Sequence, residues 1–210
     1  MTVTSLFLDM EEKNVLIVGT GQVGIRRARR FLDAGAYVSI ITHGIDYDIK
    51  EEFINKGAVF YSDSALDELI KKCDLVVVAT DNMELNREIS LKAHDKLVNC
   101  ASDISLSNVI VPSTFNIGSV TISLYTNSKS PLMAKQLRKK IQSIITETDI
   151  LFIELQEYVR YLLKKHVSSQ DDRKEFMIHV NEDEIVQKLI EEGKLDEAKK
   201  YVKCLIEKIN

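Results

Sequence analysis

Short apolar runs alternate with amphipathic stretches over roughly the first hundred residues. Residues 15–18 form a continuous apolar run and 74–79 contain another, which is typical of strands buried on both faces. The other predicted strands cover 37–42, 58–61 and 97–100, and the predicted helices cover 22–34, 49–56, 66–72 and 84–95. Strands that alternate with helices in this way indicate βαβ units and a parallel sheet.

The pattern changes in the second half of the chain. Residues 109–111 and 119–125 read as two strands with no helix between them, and the turn residues 116–118 predict an antiparallel hairpin. From Pro131 onward the sequence is helical almost throughout. Pro131 fits the first position of a helix, and Ser130 before it fits the N-cap.

Three further signals subdivide the helical region. Asn181 and Glu184 have the spacing of a capping box, and Gly193 predicts a helix end. The polar run 168–172 is the best linker candidate.

Glycines follow the first predicted strand at G-x-G-x-x-G spacing: Gly19, Gly21 and Gly24. The first glycine permits a tight turn, the second lets backbone approach a pyrophosphate, and the third lets the helix pack closely on the strand. The N–H groups that open the helix would point at the phosphates. We therefore predict a dinucleotide site that includes Gln22 and Val23, the alternative being a doubly wound sheet with an empty crevice.

These patterns together predict an α/β protein. A Rossmann-type parallel-sheet domain is expected over 1–112, followed by a small α+β segment over 113–145 and an α-helical C-terminal domain over 146–210.

Other polar residues fall at the carboxyl edge of the predicted sheet. His43 and Gly44 follow the second strand, on the adenosine side, where neither the usual acidic residue nor an arginine for a 2′-phosphate is present. This favours NAD mildly over NADP. Thr80 follows the fourth strand and could touch the cofactor, while Asp81 and Asn82 could equally cap the next helix.

Residues 99–103 follow the fifth predicted strand, where a nicotinamide ring would lie. They supply the Asn99 amide, the Ser102 hydroxyl and the Asp103 carboxylate. A carboxylate at this place could take up a proton during an oxidation or coordinate a metal. The alternative is an ordinary polar turn.

Five basic residues and no acidic one lie in a short segment, namely Lys129, Lys135, Arg138, Lys139 and Lys140. On a helix that starts at Pro131, three of them share one face, and the helix N-terminus adds positive potential. The segment suits a ligand with several carboxylates, although a solvated helix face is the alternative.

Composition excludes several classes of function. Of the 210 residues, 45% are hydrophobic and 29% are charged, and the net charge of −4 argues against nucleic-acid binding. The cysteines Cys73, Cys100 and Cys204 are odd in number and form no C-x-x-C pair, as expected of reduced thiols in the cytoplasm. No apolar run has the length of a membrane span, no signal peptide is evident, and the scattered histidines indicate no metal site.

A series of short motifs resembles the precorrin-2 dehydrogenase family, which is the dehydrogenase–ferrochelatase part of sirohaem synthases. The motifs are residues 6–11, the glycine loop with 26–29, 79–81, 84–87, Asn99, 110–113 and 129–138. The last of them resembles the family signature G-K-S-P-x-x-A-x-x-L-R.

The resemblance implies NAD-dependent oxidation of precorrin-2 to sirohydrochlorin, and in some members insertion of ferrous iron to give sirohaem. It also implies a homodimer in which the dimerisation segment, 113–145, is exchanged between subunits. A polyanionic tetrapyrrole would explain the basic segment. The substrate-binding residues implied are Asn99, Lys129, Ser130, Lys135 and Arg138.

Two departures from the family pattern concern the site. The family reads Asn-Val-Val-Asp-Asp where this chain has residues 99–103, so Ser102 stands in place of the important aspartate and Asp103 in place of its neighbour. Either Asp103 takes over that role as the catalytic group, or the carboxylate is dispensable. Asn127 and Ser128 replace glycines that are usual in the family.

Two other functions remain open at this point. One is an NAD-sensing regulatory domain, and the other is a tetrapyrrole-binding chelatase or carrier without dehydrogenase activity. Binding of sirohydrochlorin without NAD affinity would favour the second, and nucleotide binding without tetrapyrrole binding would favour the first.

Overall fold

The computed structural model describes residues 3–127 and 129–208, so Ser128 lies outside the described residues. The chain divides between Val111 and Pro112 into two compact units, unit 1 before that point and unit 2 after it.

Unit 1 is a parallel five-stranded sheet with helices on both faces. Its strands are β1 (Asn14–Val18), β2 (Tyr37–Ile41), β3 (Val59–Tyr61), β4 (Leu75–Val78) and β5 (Leu97–Cys100). Its helices are α1 (Gln22–Asp33), α2 (Tyr47–Asn55), α3 (Leu66–Lys72) and α4 (Met83–Lys92). The strand order is β3-β2-β1-β4-β5, so the chain changes direction across the sheet between β1 and β4. Ligands of open α/β sheets bind at this switch point, beyond the carboxyl ends of the strands.

Burial on both faces explains why the central strands are almost purely apolar. Val15, Ile17 and Val77 belong to one core cluster, which includes residues of α1 and α2. Leu16 and Val76 belong to the other, which includes residues of α3 and α4. Successive side chains of a strand point to opposite faces, so each strand must supply apolar residues at every position. The prediction of a Rossmann-type parallel sheet is confirmed.

The hairpin of unit 2 starts later than the sequence predicted. It consists of β6 (Ser113–Ile117) and β7 (Val120–Leu124), which pair antiparallel around Gly118 at φ +52°. Residues 109–111 are not a strand, because Val109 and Val111 pack against the core of unit 1. Pro112 therefore precedes a strand instead of following one.

Unit 2 continues with helices only. They are α5 (Pro131–Ile144), α6 (Glu147–His166), α7 (Gln170–Glu182), α8 (Glu184–Glu191) and α9 (Leu195–Glu207). Helices α6 to α9 enclose a core of their own, formed by Leu155, Val159, Leu163, Val180, Val186, Ile190, Ala198, Val202 and Ile206. Among the described residues, no helix combines the length and apolar character that crossing a membrane requires.

The helix ends confirm some predicted caps and correct others. Ser130 caps α5 by accepting a hydrogen bond from the Met133 N–H, with Pro131 as the first helical residue, as predicted. Gly193 follows α8 with φ +72°, which confirms the predicted end. The capping box predicted at Asn181 is wrong.

Asp183 caps α8 instead, because its carboxylate accepts from the N–H groups of Ile185 and Val186. The predicted linker 168–172 is also wrong, since Ser169 caps α7 and the following residues are helical. The reciprocal capping box of this unit lies at Thr146 and Asp149, where it starts α6.

Candidate functional site

The glycine loop joins β1 to α1 at the carboxyl edge of the sheet. Gly19 has φ +93° and donates its N–H to the Ile41 carbonyl at 2.9 Å. A Cβ on Gly19 would lie 2.6 Å from the Ala79 carbonyl oxygen, and a Cβ on Gly24 would lie 2.0 Å from the Gly19 carbonyl oxygen. Both glycines are therefore required by the close packing of β1, β4 and α1.

Gly21 has no such internal reason to be a glycine. Its φ is −66°, and the nearest atom to an added Cβ is the Ala79 carbonyl oxygen at 4.0 Å. Gly21 is also the N-cap of α1, where no side chain caps the helix and the first turn, which includes Gln22 and Val23, carries no acidic residue. Open space beside uncapped N–H groups fits a pyrophosphate.

The adenosine side of the loop holds a cavity of about 340 Å³. The residues that line it are Thr42, His43, Gly44, Ile45, Lys50, Phe60 and Tyr61. The hydroxyls of Thr20 and Thr42 lie 2.6 Å apart, and both are within hydrogen-bond distance of the Gly44 carbonyl oxygen, at 2.8 and 2.9 Å, which fixes this loop. The predicted residues His43 and Gly44 thus lie at one cavity on the expected edge. A larger cavity, of about 610 Å³, lies at the opposite edge, around the amino ends of β4 and β5.

A hydrogen-bond network ties the ends of β4 and β5 together. The Thr80 hydroxyl donates to Oδ1 of Asn86 at 2.5 Å, and Asn86 Nδ2 donates to the Thr80 carbonyl at 2.9 Å and to the Ser102 hydroxyl at 3.0 Å. The Ser102 hydroxyl also lies 3.3 Å from the Cys100 thiol. Asn86 is fully buried in α4. It therefore fixes Thr80 and Ser102, and both were predicted as site residues.

Asn86 was not among the predicted site residues. The available signal was a polar residue on the apolar side of a helix, at the spacing of Ile89 and Ala93, which are buried. The alternative interpretation of Asn82 is confirmed, because its side chain caps α4.

Asp103 caps a short 3₁₀ turn, Ile104–Leu106. Its Oδ1 accepts from the Ser105 N–H at 2.8 Å and from the Ser105 hydroxyl at 2.7 Å. These two hydrogen bonds hold the pKa of Asp103 below its usual range. The carboxylate therefore stays ionised near neutral pH.

Asn99 lies on the sheet face that α1 covers, because it pairs with Val77 in the register of β4 and β5. It is 3% exposed, and its Nδ2 donates to the Val109 carbonyl at 2.9 Å. Its buried Oδ1 has no hydrogen-bond partner in the described structure. The hydrogen bond from Asn99 thus holds the chain segment that follows β5 in place, while the Oδ1 acceptor of Asn99 remains available.

The basic segment belongs to unit 2. Lys129 and Lys135 are exposed, whereas Ser130 is engaged as the cap of α5. The Arg138 guanidinium lies 5.0 Å from the ring centre of Phe115 on β6, which holds the arginine against the hairpin. The predicted residues thus form two groups, one at the carboxyl edge in unit 1 and one on α5 in unit 2.

We expect Asn86→Ala to lower the free energy of unfolding by about 2–3 kcal/mol, because the half-buried Thr80 N–H and carbonyl and the Ser102 hydroxyl lose a hydrogen-bond partner. Urea unfolding followed by circular dichroism measures the change. Ser90→Ala is the matched control, since Ser90 is buried one turn later in α4 and its hydroxyl donates to the Asn86 carbonyl within the same helix. Equal losses in the two variants would contradict a linking role for Asn86.

The fold and the glycine loop define a Rossmann-type protein of the NAD(P)-binding class. Residues 6–113 match the model of a protein family described as "Putative NAD(P)-binding". A "Putative precorrin-2 dehydrogenase" of Methanocaldococcus jannaschii is 33% identical over 85% of this chain and 90% of its own length. The precorrin-2 dehydrogenase of Methanosarcina barkeri is 32% identical over 86% of this chain and 84% of its own. The chain belongs to the precorrin-2 dehydrogenase family, as its motifs predicted.

A solved structure has the same fold along nearly the whole chain. The structure of SirC, precorrin-2 dehydrogenase, superposes with a TM-score of 0.78 at 23% identity, and covers 96% of this chain and 99% of its own. The likeness extends beyond the parallel sheet to the hairpin and the helical region, which supports the predicted fold class as a whole.

Proposed function

We propose that this protein oxidises precorrin-2 to sirohydrochlorin with NAD. The observation that carries the proposal is the carboxyl edge of the sheet, where the open side of Gly21 and the polar groups of Thr80, Ser102 and Asp103 follow neighbouring strands. Membership of the precorrin-2 dehydrogenase family supports precorrin-2 as the substrate. Bound NAD would supply the hydride acceptor, so the substrate loses a hydride to NAD and a proton to solvent, and the products are sirohydrochlorin, NADH and a proton.

Different residues of unit 1 would bind the different parts of NAD. Gly19 and Gly24 shape the loop, and Gly21, Gln22 and Val23 leave N–H groups free for the pyrophosphate. His43 and Gly44 would line the adenosine, and Thr80 would contact the cofactor near its nicotinamide end. These assignments are supported by the cavity beside Gly44 and by the hydrogen bonds that hold Thr80.

Asp103 is proposed as the catalytic carboxylate, with Ser102 beside it. Loss of a hydride leaves positive charge on the substrate, and an ionised carboxylate at that place would stabilise the charge. The Ser105 bonds occupy Oδ1 of Asp103 and keep the group ionised, which leaves Oδ2 to face a ligand. Ser102, which accepts from Asn86, would orient the substrate by its hydroxyl.

The basic residues of unit 2 are proposed to bind substrate carboxylates. Lys129, Lys135 and Arg138 would supply the charge, and Ser130 and Asn99 would position the neighbouring backbone. The division into a dimerisation segment over 113–145 and a helical domain over 146–210 stays a prediction.

We further propose a homodimer that acts in the cytoplasm. A two-stranded hairpin is marginal by itself, and α5 beside it exposes Leu132, Met133 and Ile144, so a second subunit would cover them. The free thiols of Cys73, Cys100 and Cys204 suit a reducing compartment.

The decisive test incubates the purified protein with precorrin-2 and NAD. We expect the absorption spectrum of sirohydrochlorin to appear in step with NADH, and no conversion without NAD. Conversion at the same rate without NAD, or no conversion at all, would refute the proposal. The same assay with added ferrous iron or cobalt tests metal insertion, which would change the spectrum again.

A further inference from the structure

Helix α1 carries four arginines, and they differ in their surroundings. Arg29 is paired, because its guanidinium donates to both carboxylate oxygens of Glu52 at 2.7 and 2.5 Å. Arg26 is exposed. Arg27 is only partly exposed, and its Nη1 is enclosed by protein without a hydrogen-bond partner in the described structure.

A charged guanidinium whose Nη1 is enclosed without a partner among the described residues is unfavourable. Burial and the neighbouring charges of Arg26 and Arg30 lower the pKa of Arg27 to about 10, and the group remains charged at neutral pH. A buried charge normally has a counter-ion, because removing an ion from water is unfavourable unless an opposite charge compensates. Such a cost is retained in proteins mainly where function requires the group.

The position of Arg27 indicates where its counter-ion would come from. Arg27 follows Gly24 by three residues, and helical side chains lean toward the N-terminus of their helix, which here is the carboxyl edge of the sheet. Its guanidinium is near enough to Cys100, the last residue of β5, for the two to interact electrostatically. Asn99, with its own unpartnered Oδ1, lies on the sheet face that α1 covers.

Arg27 thus lies within electrostatic reach of the end of β5, whereas the pyrophosphate position is beside Gly21, at the start of α1. The N–H groups of the first turn already provide for the pyrophosphate. An anion near β5 would come from the molecule that lies next to the nicotinamide.

We propose that Arg27 binds a carboxylate side chain of the tetrapyrrole substrate at the carboxyl end of β5. The inference rests on the proposed function and adds a substrate-binding residue on α1 to those of unit 2. A guanidinium suits this task, because it can donate two parallel hydrogen bonds to one carboxylate while its enclosed part keeps its orientation.

The test compares Arg27→Met with Arg26→Met, a matched change at the exposed neighbour. For Arg27→Met we expect the affinity for sirohydrochlorin, measured by absorbance titration, to fall about tenfold or more, which corresponds to about 1.4 kcal/mol or more. The affinity for NAD should stay unchanged. The melting temperature without ligands should stay equal or rise, because an unpaired buried charge has been removed. Arg26→Met should change none of these.

Arg27→Lys provides a second variant that keeps the charge. It should bind sirohydrochlorin with an affinity between those of the wild type and Arg27→Met, since a lysine cannot replace two parallel hydrogen bonds. If Arg27→Met does not fold, Arg27→Lys still tests the inference, because it keeps the positive charge and differs from the wild type only in its hydrogen-bonding geometry.

Three results would overturn the inference. A lower melting temperature of both Arg27 variants would show that the arginine has a partner within the protein. Loss of NAD affinity with normal sirohydrochlorin binding would assign Arg27 to the pyrophosphate. If the affinities for NAD and for sirohydrochlorin are both unchanged, Arg27 binds neither ligand. Failure of the wild-type protein to bind sirohydrochlorin would instead refute the proposed function, and the inference with it.

Discussion

Gly19→Ala is expected to lower the free energy of unfolding by about 2–5 kcal/mol, since it combines backbone strain with a clash in the core. Alanine is strained at φ +93°, and its methyl group would lie within 2.6–2.8 Å of backbone atoms of Ala79 and Thr80. The loop cannot rotate away freely, because the Gly19 N–H is bonded to the Ile41 carbonyl. Thermal unfolding should show a melting temperature lower by about 4–20 °C.

Gly21→Ala is the matched control, because it adds the same methyl group in open space. Its melting temperature should stay within about 2 °C of the wild type, since the nearest atom lies 4.0 Å away. Its NAD affinity should fall about tenfold or more, because the methyl group occupies the space of the pyrophosphate. A Gly21→Ala protein that binds NAD normally would contradict the assignment of this loop. A Gly19→Ala protein of normal stability would contradict the close approach of Gly19 to the backbone of Ala79 and Thr80.

Unit 1 was predictable from sequence because its central strands are buried on both faces. A strand such as β4, with all four residues buried, has to be a continuous apolar run, and that run is visible without a structure. The bounds of α3 and β5 were predicted to the residue, 66–72 and 97–100.

The hairpin was misplaced for a physical reason. Residues 109–111 are apolar because they cover the core of unit 1, and a local pattern does not distinguish this from strand formation. The true strand β6 contains one fully buried residue, Phe115, among polar neighbours, so its apolar signal is weak. Its position depends on pairing with β7, which is a tertiary property.

The candidate site was predictable where its signals are local. The glycine loop and the Ser130 cap are fixed by neighbouring residues and were recognised. Asn86 was not, since its two partner residues, Thr80 and Ser102, follow two separate strands and only the folded sheet brings them together. The capping role of Asp103 has a local signal, an acceptor two residues before the donor Ser105, and could have been recognised as an Asx turn.

Asp103→Asn is expected to lower kcat by about 10- to 100-fold at pH 7, because it removes the negative charge that would stabilise the oxidised substrate. Asparagine is as good a cap as aspartate and can still accept from Ser105, so the 3₁₀ turn should stay intact. KM for NAD should change little. Steady-state kinetics with precorrin-2 measures both constants, and Asp103→Ala shows the effect of losing charge and cap together.

The pH dependence of stability provides a check on the charge of Asp103. Its pKa is lower in the folded protein than in the unfolded chain, so the carboxylate stabilises the fold above the unfolded value of about 3.9. This contribution is lost as the pH falls through the folded pKa. The stability difference between the wild type and Asp103→Asn should therefore be constant near neutral pH and shrink below about pH 4.

Ser102→Ala separates the two alternatives that the family pattern leaves open. If Asp103 has taken over the role of the family aspartate, Asp103→Asn should impair kcat strongly, and Ser102→Ala should impair it less than about tenfold, because the hydroxyl only orients the substrate. If both variants keep the wild-type kcat, the carboxylate is dispensable, and Asp103 serves only as the cap of its turn. A strong loss of kcat in Ser102→Ala alone would assign the catalytic role to the Ser102 hydroxyl, which accepts a hydrogen bond from Asn86.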